Sequence, residues 1–147
     1  MIIAKFLHIL GFTLWVGGMF FMHMAMRPNA EAFLQAPQKT QFWSNILGRF
    51  FVGIWFSVAL VLISGLYMMA QIGRPPAYVS AMLLLGFIMT AFSSYTFFSP
   101  YKRLKHAVAA NDWQDGEVAL ARIRLLTGIH LRLGLVTIGV GALGPHF

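Results

Sequence analysis

The ten residues MFFMHMAMRP, 19–28, set four methionines around one histidine and end on Arg27 and Pro28. Thioethers and neutral imidazoles are soft ligands, and together they suit Cu(I). The same stretch also reads as a Met-rich helix end, because Met is a flexible packing residue in any apolar chain. At 100° per residue, His8, Trp15, Met19, Met22 and Met26 fall within about 40° of one another on a helix, with His23 about 60° away. A stripe facing lipid is aliphatic, since polar groups in hydrocarbon lack partners. A face with two imidazoles therefore points into a bundle.

The elements that carry these residues follow from composition. The chain has 147 residues, of which 59% are hydrophobic and only 10% charged, and its mean hydropathy is +0.72; a soluble domain is about 25% charged. This is the composition of a membrane protein. Four apolar stretches, residues 2–26, 50–72, 77–98 and 125–143, are each long enough to cross a hydrocarbon core of about 30 Å. Polar connections over 27–49 and 100–124 separate them, and the four-residue GRPP joins the second and third into a hairpin. The expected architecture is all-α: an integral membrane four-helix antiparallel bundle forming a single domain over 1–147. An N-terminal leader ending at the AEA of Ala30–Ala32 is not expected, because the apolar run exceeds the usual 7–15 residues or so of a signal peptide.

The net charge of +7 comes from 11 Lys and Arg against 4 Asp and Glu. No nucleic-acid-binding pattern accompanies it, so the basic residues are read as loop charges of a membrane protein and nucleic acid is not an expected partner. The two long connections hold Arg27, Lys39, Arg49, Lys102, Arg103, Lys105, Arg122 and Arg124, whereas the N-terminus and the short turn hold Lys5 and Arg74. That asymmetry puts the connections in the cytoplasm and both termini outside, with the bilayer as the first partner. With no Cys in the chain, disulfides and thiolate metal sites are excluded.

Histidines inside spans usually face a cavity, a cofactor or one another. By depth, at 1.5 Å per residue, His23 pairs with His130 in the inner half and His8 with His146 near the outer end. His106 and His146 are expected in solvent. Ser93–Thr96 and Thr127 converge at the depth of His23 and His130, which suggests a small polar pocket unless the hydroxyls bond back to their own helices. Arg132 has no carboxylate in any span, so it snorkels, meets a loop acid or meets an anionic ligand.

LHILGFTLWVGGMFF, then RPNA, and the stretch from Ser99 to Gly144 resemble the bacterial copper-resistance protein D family, with His8, Trp15, Gly17 and Gly18 and the last connection as the specific parts. The resemblance covers the whole chain and implies a four-helix inner-membrane unit that handles copper. A more distant likeness is to the small haem-binding protoporphyrinogen oxidases, which share the spacing of His8 and Trp15; there His8 would be a haem ligand. That family's intramembrane lysine is absent from AYVSAMLLLG at the start of the third span, so no protoporphyrinogen oxidation is expected. Two readings follow. In the first, copper is bound or passed by His8, Met22, His23, Met26 and His130 in a non-enzymatic protein, with a periplasmic copper carrier as partner. In the second, haem b sits between His8 and His130 in an electron-transfer protein fed by quinol.

Overall fold

The computed structural model describes residues 1–146, and these are helical almost throughout. Helix α1 spans Ile2–Phe21, passes through a π-helical turn at Met22–Met26 and continues as α2, Arg27–Phe33. Helix α3 covers Ala36–Ile72 and α4 Ala77–Thr96; a second π-helical turn, Phe97–Tyr101, leads into α5, Lys102–Ala109. Helix α6 runs over Trp113–Leu143 and closes with a 3₁₀ turn at Gly144–His146. The four rods alternate in direction. α1 packs along α3 and α4 along α6, while α6 also touches α1 and α3. The expected all-α antiparallel four-helix bundle is the observed fold.

The polar connections depart from expectation. Residues 27–49 and 100–124 are mostly helix rather than loop, and the chain reverses only at 34–35 and 110–112. Periodicity explains this. On α3 the buried positions Thr40, Trp43, Leu47, Phe51, Ile54, Val58 and Val61 recur every three or four residues from the polar part into the apolar part, so one stripe continues through both. On α5, Leu104 and Ala107 are buried while Lys102, Arg103, Lys105 and His106 stay outside. His106, expected in a loop, is on an exposed helix face. At 1.5 Å per residue, the 37 residues of α3 reach about 55 Å, well beyond a hydrocarbon core of about 30 Å. The bundle thus has an apolar body and a polar cap built from the same helices.

Prolines do not break the rods, because each is matched by a π turn. Pro28 lies two residues past the first turn, where the Arg27 amide donates to the Met22 carbonyl five residues back; Pro100 lies inside the second. Widening the helix relieves the clash between a proline ring and the carbonyl four residues before it. True reversals use other chemistry. Gly73 has φ +74° and ends α3, and Asn111 takes φ +53°, a left-handed conformation that Asn tolerates better than most residues. Asp112 then caps α6, its carboxylate accepting the Asp115 amide at 3.0 Å.

All four acids lie in the cap. Lys39, nearly buried, bridges Glu31 at 3.2 Å and Glu117 at 3.0 Å; Arg124 also pairs with Glu31, and Arg103 with Asp115. Lys39 therefore ties the second and last rods to the end of the first. Beneath the cap, Phe51, Phe97 and Tyr101 stack with centroids 5.1–5.7 Å apart, and the Tyr101 hydroxyl donates to the Ser44 carbonyl at 3.4 Å. The outside of the body carries Ile3, Val52, Phe56, Ile63 and Leu84, all exposed, as a lipid-facing surface requires.

Candidate functional site

The intramembrane histidines occupy three different settings. His8, half-buried on α1, sets Nδ1 3.0 Å from the Val61 carbonyl and 3.1 Å from the Ser64 Oγ of α3. The Ser64 hydroxyl itself donates to the Leu60 carbonyl, so both atoms accept from a protonated Nδ1 and the lone pair resides on Nε2. The ring rests on Gly65, where an added Cβ would lie 3.0 Å from His8 Cε1. Its partner is α3. His146, expected opposite His8, is exposed in the terminal 3₁₀ turn.

His23 sits in the first π turn, half-buried, against α6 at Gly128, where an added Cβ would be 3.4 Å from its Cε1. Its Nε2 is 3.4 Å from Arg27 Nη1. A crevice of about 30 Å³, room for a single water, opens beside it between α1 and α6. Met22 and Thr127 share that wall with Arg27 and Arg124. His130 is not part of it.

His130 is buried on α6, 4% exposed, between Trp15 of α1 at 5.5 Å and Phe92 of α4 at 6.3 Å, both edge to face. Its Nε2 has no hydrogen-bond partner, and neither does the Nε1 of Trp15, which is fully buried. Leaving a buried polar atom unpaired costs about 1–3 kcal/mol. Two such nitrogens on touching rings, one an obligate donor, mark a place in the core that the protein's own groups do not complete. Met19 lies one turn from Trp15 on the same face of α1, and Met89 of α4 lies against α6 one turn from His130, at Gly134; both sulfur side chains are buried.

The structure therefore distributes the candidate ligands. Met22 and His23 share the crevice; Met26 lines a separate groove with Phe21, Phe33 and Phe42; His130 stands with Trp15. Among the described residues no group of three His, Cys, Asp or Glu side chains converges as a metal site. The suggested hydroxyl pocket does not form as such: Ser94 and Thr96 donate to carbonyls four residues back on α4, and Thr127 does the same on α6. Met89 was not singled out from sequence. Its signal is the α4 stripe Gly86, Met89, Ser93, Thr96, the buried line of that helix.

A four-helix membrane bundle with a bare imidazole at its centre is the class that this geometry defines. A family model, copper resistance protein D, matches residues 44–143. The chain belongs to that family and is a copper resistance-related, multi-pass membrane protein. No curated protein and no solved structure gives a match.

Proposed function

We propose that this protein binds copper inside the bundle as cargo, with His130 as the anchoring ligand and thioethers of the α1 face completing the site. The observation that carries this is the buried, unpartnered Nε2 of His130. A neutral imidazole in an apolar setting offers one lone pair at modest cost, and with no Cys in the chain the remaining soft donors are the methionines around it. Trp15 cannot coordinate through its N–H; it fixes the ring's position and excludes water. His8 fits a second, shallower stage, since a ring whose Nδ1–H is held by a backbone carbonyl presents Nε2 in a set direction. Met22, His23 and Met26 extend the set toward the other end of α1. A periplasmic copper carrier as the outer partner, with the inner membrane as location and both termini outside, belongs to the same proposal.

The haem reading is less well supported. α1 and α6 approach so closely that a Cβ on Gly134 would stand 2.8 Å from Val16, and this is the gap a planar macrocycle near His130 would need.

Competition with a Cu(I) chelator on purified protein tests the proposal. His130→Ala should weaken copper binding at least tenfold or so, the scale seen even for partners that merely orient ligands. Met24→Leu, exposed on the far side of α1, should leave it unchanged. Unaltered binding by a folded His130→Ala variant would refute the site.

A further inference from the structure

The crevice around His23 has a chemistry of its own, independent of the copper reading. Arg27 and Arg124 line it, and Arg27, Arg124 and Arg132 are the three cations whose fields reach the His23 ring. One carboxylate, Glu31, is near, and it is shared between Arg124 and Lys39. Among the described residues neither Arg27 nor Arg132 has an acidic partner. Arg132 is exposed on the apolar part of α6, eight residues or about 12 Å along the helix from Arg124. Side chains of a helix lean toward its N-terminus, so the Arg132 stem leads its guanidinium along Gly128 toward the crevice.

Three guanidiniums around a neutral ring repel a metal cation and attract an anion. Their planar forks match phosphate oxygens, and an unpaired guanidinium within a bilayer costs about 2.5–3.5 kcal/mol even on insertion scales. Because Arg132 opens onto the lipid-facing surface, the phosphate available at that depth is a headgroup. We propose that Arg27, Arg124 and Arg132, with His23 between them, form a binding site for the phosphate of an anionic phospholipid, lodged between the first and last rods.

The full chain in neutral detergent, titrated with phosphatidylglycerol and read by native mass spectrometry, tests this. Phosphatidylglycerol should be retained, and phosphatidylcholine retained far less. Arg132→Gln and Arg27→Gln should each raise the apparent dissociation constant about tenfold, as expected for loss of one charge-assisted contact. Arg132→Lys, which keeps the charge without the fork, should fall between, and Arg74→Gln at the opposite end should have no effect. The thermal midpoint with phosphatidylglycerol present gives a second readout: it should rise in the wild type and rise less in Arg132→Gln. Equal affinity for the two lipids, or an Arg132→Gln variant that binds like wild type, would overturn the site. Displacement of the lipid by millimolar inorganic phosphate would overturn a headgroup as its occupant. Copper binding measured on the same variants should not change, so failure here and failure of the copper reading are distinguishable.

Discussion

His23 and His130 are the same residue on two helices that touch, yet their surroundings differ in kind. His130 is sealed among Trp15, Phe92 and apolar side chains with a bare nitrogen, and no charge lies against it. His23 is half open, set in a widened helical turn, and ringed by three arginines. A soft, singly charged metal is favoured at the first and repelled from the second; an anion has the reverse preference. Ligand type alone therefore does not define a site in a membrane bundle. The charges on the neighbouring rods decide what an imidazole can hold.

The sharpest way to break the comparison is topological, since it decides which leaflet faces the arginine crevice. Cysteines at Gln38 and Asn111, both exposed in the polar cap, should resist an impermeant reagent in intact cells and react after lysis. Ready labelling of both in intact cells would turn the bundle over. Next in size is the contrast in copper binding: His130→Ala should lose about tenfold or more, and His23→Ala much less, its ring lying among cations. An equal loss for both would merge the two settings into one.

A smaller effect tests whether close helix approach underlies the sealed core. At Gly11 an added Cβ would lie 2.8 Å from Leu60 Cβ and 3.2 Å from the Ser57 carbonyl, while nothing lies within 4 Å of Gly139. Gly11→Ala should cost about 1–3 kcal/mol of stability by overpacking, and Gly139→Ala should be neutral or slightly stabilising. Thermal midpoints of the two variants in one detergent compare them. Smallest of all is the Arg103–Asp115 pair in the cap, whose side chains are 53% and 35% exposed. Arg103→Ala should cost less than about 1 kcal/mol, because water screens such pairs.

The four rods and their directions were legible in the sequence because hydropathy reports burial in lipid. Where the rods end was not, because the same measure treats Lys39, Arg103 or Glu117 as loop residues although they occupy outer faces of continuing helices. The buried stripe from Thr40 to Val61, read for period rather than hydropathy, carries that information. The site was half legible. Histidines inside spans were marked as unusual by their type, and depth along the helix put His23 and His130 near one level. Azimuth was beyond reach: two π turns shift the phase of everything after them, and no residue type announces a π turn. Pro28 and Pro100 are its nearest signals, and each reads in isolation as a helix stop.

Those two turns also make chain length a local variable. A π turn is an α-helix that has absorbed one extra residue, so removing a residue from Met22–Met26 restores ordinary winding and leaves both flanking segments in phase. The same deletion within α6 rotates all that follows by about 100°. With ordinary winding restored, however, the Pro28 ring meets the carbonyl a turn before it. The surplus residue and the proline are thus a matched pair. Lineages that lose one should tolerate the chain only by losing the other, and the imidazole now presented toward the arginines would lose its seat with them.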